Sequence, residues 1–276
     1  MASLVGVFAT GHAPNLVTTW DRAGDAVCQE ALAAFHEMAG RIKAAAATTV
    51  ITISNDHFNN FYLNNLPAYA IGVGERWIGP EDDLGYEGGP IQIAGNPTLG
   101  LHLVEHLYQH EGFDPAVSYH LKLDHGTFVP MRYTFPEFEL PLIPTFQNCV
   151  QQPMPTIKRA AAFGAALRRG IESAPTDDRV IIVGAGGMSH FIGVPGQGRI
   201  NEEFDRRWVD LFAAGDLEAL TNLGDDEVAA GGNGAQEIRN WVAAMGAAGG
   251  RPAEWLMYRA VPAWLIGMGV VDFRYS

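Results

Sequence analysis

Thr48-Thr49-Val50-Ile51-Thr52-Ile53-Ser54 runs directly into Asn55-Asp56-His57, and the rest of the chain is read outward from this stretch. Six successive β-branched residues have the composition of a central strand, because branched side chains pack well on a pleated, buried surface. The histidine that follows sits just past the strand's carboxyl end. The same arrangement recurs three times. Val5–Thr10 leads into Gly11-His12-Ala13-Pro14-Asn15, Pro115–Leu121 leads towards Asp124-His125-Gly126-Thr127, and Arg179–Ala185 leads into Gly186-Gly187-Met188-Ser189-His190. In a sheet-centred fold, residues beyond the carboxyl ends of strands line the ligand crevice. Four imidazoles delivered there point to one site, and a metal centre with acid/base help is the chemistry they suit.

Between these runs the periodicity turns helical. Asp21 to Ala47 reads as one amphipathic helix, with Val27, Leu32, Phe35, Met38 and Ile42 on a stripe. Residues 61–95 are rich in Gly, Pro, Asn and Asp and read as loops and short strands, Tyr69–Val73 and Pro90–Ala94 among them. Asn96-Pro97 opens a helix to about Gln109. Leu140–Gln147 is a further core strand, Pro155–Ser173 a helix, and helical character returns from Asn201 to Leu223 and from Asn233 to Ala247. Ala253–Val271 mixes aromatics with Gly and Pro and is expected to rejoin the sheet. The expectation is an α/β fold, one catalytic domain over 1–276, with a mixed central β-sheet flanked by helices.

Composition narrows the function. Apolar residues make up 47% of the 276 and charged residues 18%, enough to bury a large core. Eighteen Lys and Arg against 31 Asp and Glu give a net charge of −13, which speaks against a nucleic-acid surface. Two cysteines, Cys28 and Cys149, make neither a disulfide framework nor a thiolate metal site. No signal peptide and no membrane-spanning run is read, so a cytoplasmic protein is expected.

Taken from the residues alone, His12 and His57 are the candidate imidazole ligands, since each follows an early strand and is flanked by turn formers. A carboxylate is harder to find. Glu237, in Gly234-Ala235-Gln236-Glu237-Ile238-Arg239-Asn240-Trp241, opens a helix, where an acid simply complements the dipole. Asp56 and Asp124 each precede a site histidine and are candidates to orient an imidazole or to fix a loop. Tyr258 and Trp264 are candidates for walls of an aromatic pocket or for core. His102, His106 and His110 share one helix at zinc-binding spacing but read as a solvated helix edge. Gly184-Ala185-Gly186 lacks the third glycine of a dinucleotide loop, and Gly187-Met188-Ser189-His190-Phe191 lacks the last glycine of a nucleophile elbow.

Four blocks in order, Gly11-His12-Ala13-Pro14, Asn55-Asp56-His57-Phe58-Asn59-Asn60-Phe61, Asp124-His125-Gly126-Thr127-Phe128-Val129-Pro130 and Gly184 to His190, resemble the type III extradiol ring-cleavage dioxygenases. That family includes the catalytic β subunit of protocatechuate 4,5-dioxygenase and the 2,3-dihydroxyphenylpropionate 1,2-dioxygenases. The tail, Glu237 to Ala244 and then Tyr258-Arg259-Ala260-Val261-Pro262-Ala263-Trp264, is similar too, so the likeness covers nearly the whole chain. The resemblance implies Fe(II) held by His12, His57 and Glu237, with His190 as acid/base and His125 as a second functional histidine. It implies a catecholic small-molecule substrate, O2, and a homo-oligomer or a small α subunit as partner.

The implied chemistry explains those residue types. One catechol hydroxyl must lose its proton at the metal, and an imidazole with a near-neutral pKa can take it and later return it. A metal-dependent hydrolase using the same His/His/Glu site, or an inactive or partner-dependent subunit, stays open as an alternative. Manganese and zinc stay open beside iron. The ring substituent is not read. Lys122, Arg132 and Arg259 are candidates to meet an anionic group, although surface ion pairs are the commoner fate of such residues.

Overall fold

The β-branched runs become the middle of an eight-stranded sheet. The computed structural model describes residues 1–81 and 90–275; the part of the expected loop region at 82–89 lies outside the described residues. In chain order the strands are β1 (Ser3–Gly11), β2 (Thr49–Ser54), β3 (Tyr69–Gly72), β4 (Arg76–Gly79), β5 (Ile91–Ala94), β6 (Ala116–Ser118), β7 (Leu142–Gln147), β8 (Arg179–Gly186), β9 (Glu254–Val261) and β10 (Ile266–Asp272). Their order across the main sheet is β6-β3-β7-β2-β8-β1-β10-β9, with β4 and β5 paired separately. The inner four, β7, β2, β8 and β1, run parallel. Strand β3 is antiparallel to β7, and β10 and β9 add an antiparallel edge. The sheet is therefore mixed, as expected, and all of β2 is buried.

Helices α1 (Asn15–Thr18), α2 (Asp25–Ala44), α3 (Pro97–His106), α4 (His125–Thr134), α5 (Ile157–Ser173), α6 (Glu202–Ala214), α7 (Leu217–Thr221), α8 (Asp225–Ala229) and α9 (Ile238–Ala247) complete the fold. Successive strand residues point to opposite faces. Val50, Ile181 and Val183 meet Phe35, Met38 and Ile42 of α2 and Phe128 of α4. Ile51, Ile53, Val180 and Ile182 meet Phe163 and Leu167 of α5 and Trp241 and Val242 of α9. Helices α5 and α9 touch through their backbones: a Cβ on Gly164 would overlap the Ala243 carbonyl, and one on Gly246 the Ala161 carbonyl.

Two expectations are corrected. The helix read from Asp21 to Ala47 is broken at Gly24, whose φ of +83° no right-handed helix continues, so a 3-10 turn over Trp20–Ala23 precedes α2. The run Pro115–Leu121 yields only the short edge strand β6, and His125 is not delivered by a strand end. It is the first residue of α4, whose N-cap is Asp124; the cap carboxylate accepts the Gly126 N–H.

Candidate active site

The carboxyl ends of four parallel strands face the same way, and three of them lead into site histidines. Strand β1 ends at Gly11 before His12, β2 at Ser54 before His57, and β8 at Gly186 before His190. Glu237 arrives from another direction, as the last residue of a 3-10 turn, Gly234–Glu237, that runs into α9. Close approach of that turn to β8 needs glycine, since a Cβ on Gly186 would lie 2.7 Å from the Glu237 carbonyl oxygen. Together with His125, these residues line one cavity of about 460 Å³. All five residues singled out in the sequence thus come together.

Glu237 sits at the centre. Its Oε2 lies 3.0 Å from His12 Nε2 and 3.7 Å from His190 Nε2, and its Oε1 lies 3.2 Å from His57 Nε2. The carboxylate is buried, yet its Oε2 makes no aligned hydrogen bond, the short approach to His12 notwithstanding. An orphaned carboxylate oxygen facing imidazole nitrogens is what a divalent cation between them would satisfy. Burial pulls the His57 pKa down, but Asp124 and Glu237 outweigh it and raise it to about 10. That excess of negative charge is one a divalent cation neutralises as well as a proton does.

The nitrogens of His12, His57 and His125 also cluster, all within 4.8 Å of one another. His57 and His125 lie with ring centroids 3.9 Å apart and planes 30° apart. His12 and His57 are 80° apart at 5.2 Å, an arrangement that can aim at one ion. His12, His57 and Glu237 are thus one set that could hold a metal, and the three imidazoles another.

Hydrogen bonds select the nitrogens that face the cavity. His57 Nδ1 donates to Asp124 Oδ2 at 3.0 Å, which leaves Nε2 towards Glu237. The same oxygen accepts the His57 backbone N–H at 2.9 Å and Asn59 Nδ2 at 3.1 Å. Asp124 is fully buried, and burial alone would raise its pKa, but His57 and the hydrogen bonds hold it well below the usual carboxylate range. His190 Nδ1 donates to the Met188 carbonyl at 2.8 Å, so its Nε2 carries the free lone pair. Burial lowers the pKa of His190 below the ordinary imidazole value, which favours the neutral ring that can accept a proton.

Some supports were not legible in the sequence. Asp205 is buried and accepts from Ser189 N (2.7 Å), Ser189 Oγ (2.9 Å) and Tyr258 OH (2.9 Å), clamping the loop that carries His190. Asn240 Nδ2 donates to the Ala185 carbonyl at 2.8 Å while its Oδ1 accepts from Gln147 Nε2 at 3.1 Å, tying α9 to β8 and β7 beneath the site. Asp124, beside His125 in sequence, orients His57. Asp56 fixes a loop instead, accepting from the Asn60 and Phe61 backbones. Trp264 lines the cavity, whereas Tyr258 belongs to the Asp205 clamp. His102 and His106 lie on the α3 flank, bonded through Ser173 Oγ.

Known proteins share this chain's pattern. The family described as the catalytic LigB subunit of aromatic ring-opening dioxygenase matches residues 6–269. A 2,3-dihydroxyphenylpropionate/2,3-dihydroxicinnamic acid 1,2-dioxygenase from Photorhabdus laumondii is 28% identical, covering 86% of this chain and 88% of its own. A protein of the same name from Cupriavidus necator is 30% identical over 84% of this chain and 86% of its own. Among the described residues no helix is long and apolar enough to cross a membrane.

Proposed function

The chain belongs to the family of catalytic LigB subunits of aromatic ring-opening dioxygenases, and on that premise we propose that it holds iron(II) on His12, His57 and Glu237 and cleaves a catechol-type ring with O2. The observation that carries this reading is the buried Glu237 carboxylate set between the Nε2 atoms of His12 and His57, with one oxygen lacking a hydrogen bond. Bound there, iron(II) would supply coordination of the ring oxygens and of O2 and a path for electron density between them.

The protein's own side chains do the rest. His190 Nε2 takes the proton of a catechol hydroxyl, a role supported by its fixed tautomer and depressed pKa. It returns that proton as the ring opens. His125, the first residue of α4, donates a hydrogen bond to a ring oxygen or to the oxygen being inserted. Asp124 keeps the His57 ring turned so that Nε2 is the ligating atom. The 2,3-dihydroxyphenyl ring in the relatives' names is the part of their chemistry carried over here. Two buried free cysteines accord with a cytoplasmic enzyme, and assembly as a homo-oligomer or with a small α subunit completes the reading.

Oxygen uptake by anaerobically iron-loaded protein across a catechol panel tests it. Stoichiometric uptake with a yellow ring-fission product, lost in Glu237→Ala together with bound iron, is expected. His190→Ala should keep iron and ring binding but lose about a hundredfold or more in turnover. Iron-replete protein that consumes no O2 with any ring would overturn the reading.

A further inference from the structure

On the catechol reading the ring lies at the His/His/Glu end of the cavity, and the remaining wall bears on what that ring carries. Apart from the imidazoles and Glu237, the wall includes Phe58, Val150, Ile192, Trp264, Leu265 and Ile266. No Lys or Arg lines it among the described residues, and residues 82–89 and 276 contain neither. Arg199 lies in the loop after His190 but is turned onto Phe191, its guanidinium 5.4 Å from the ring centroid. Lys122 pairs with Glu81 and Arg259 with Glu30, away from the cavity.

Polar groups on the wall make backbone contacts. Asn233 Nδ2 donates to the Ile192 carbonyl at 2.8 Å, and its Oδ1 accepts the Ile192 N–H at 3.0 Å. Gln197 Oε1 accepts the Gly193 N–H at 3.3 Å, and Asn15 Nδ2 reaches the Ala263 carbonyl at 3.5 Å. These side chains hold the 192–197 loop and the α1 turn in place, and none of them carries a positive charge. A substituent carboxylate would therefore enter without a Lys or Arg counter-ion and against a net charge of −13.

We propose that the ring accepted at this site bears an uncharged, predominantly apolar substituent, not the carboxylate arm named for the relatives. This rests on the catechol reading above and concerns only the substituent. Apolar walls reward a methylene chain by area removed from water, whereas an anion placed against them loses hydration with nothing in return.

The test pairs two rings of matched length, 3-propylcatechol and 2,3-dihydroxyphenylpropionate, on the full-length iron-loaded protein. Anaerobic calorimetry reads binding and oxygen uptake reads turnover. The propyl ring should bind about tenfold tighter or better and lead in kcat/KM by a similar factor. Equal or tighter binding of the propionate overturns the proposal, and would do so equally if a second copy supplied a cation. Ile192→Arg should raise propionate affinity by about tenfold and leave the propyl ring within about twofold; no gain would also count against the proposal. If the propyl ring binds preferentially but neither ring is cleaved, the ring-cleavage reading fails and the substituent inference stands. If neither ring binds, both fail.

Discussion

His57 and Asp124, 67 positions apart, share two hydrogen bonds to one carboxylate oxygen, from the imidazole Nδ1 at 3.0 Å and from the backbone N–H at 2.9 Å. Ring and main chain are thus held by a single acceptor, and the position of Nε2 is set by both. Asp124 also caps α4, so the helix that presents His125 and the loop that presents His57 are registered by the same residue.

Asp124→Asn should weaken iron binding by about ten- to a hundredfold, because an amide NH2 in place of Oδ2 faces three donors and lets the imidazole turn. The N-cap oxygen can survive in the variant, so far-UV circular dichroism should change little. Iron titration followed by competition with a chelator checks the loss; unchanged affinity would remove Asp124 from the ligand-orienting role.

Gly234 touches the His190 ring so closely that a Cβ there would overlap Nε2. Gly234→Ala should lower kcat about tenfold or more by displacing the proton acceptor, with a smaller effect on KM. Gly40→Ala, where a Cβ meets nothing within 4 Å, is the matched control and should leave kcat alone while stabilising α2 slightly.

Asp205→Asn should cost about 1–3 kcal/mol of stability, since a buried amide cannot accept from Ser189 N, Ser189 Oγ and Tyr258 OH together. Urea unfolding measures it. Tyr258→Phe removes one of the three donors and should cost less, about 1 kcal/mol.

Arg41 joins α2 to the antiparallel edge, its Nη1 2.8 Å from Glu254 and 2.7 Å from Asp272. Hydrogen bonding to Arg41 is the largest cause of a lowered Glu254 pKa. A carboxylate whose folded pKa is depressed contributes stability above its ordinary value of 4.5, and loses it as pH falls through the lower folded value. Arg41→Met should therefore lower stability at pH 7, by about 1 kcal/mol for so exposed a pair, and the gap to wild type should close as acid protonates Glu254. Melting curves from pH 7 to 3 follow that closing gap.

Much of the fold could be read along the chain. Runs such as Thr48–Ser54 and Arg179–Ala185 have few places to go other than the middle of a sheet, and the histidines behind them then fall on its carboxyl edge. The limits were equally physical. Gly24 interrupts a stripe that hydrophobic periodicity alone would continue, because one positive φ is invisible to a pattern of side chains. His125 followed an edge strand in sequence, yet its position comes from the N-cap of α4.

The sequence by itself determined the α/β class, the gathering of His12, His57, His125 and His190 near one sheet edge, and, through resemblance, the inclusion of Glu237. Those depend on local composition and order, which the chain carries residue by residue. Only the tertiary structure decided that Asp124 serves His57, that the Met188 carbonyl leaves His190 Nε2 as the acceptor, that Asp205 clamps the His190 loop, and that no Lys or Arg among the described residues lines the cavity. Each of these is a matter of direction and of contacts between distant segments. A hydrogen bond is worth having only within a few tenths of an ångström and a limited angle, and such geometry exists only once the chain has packed.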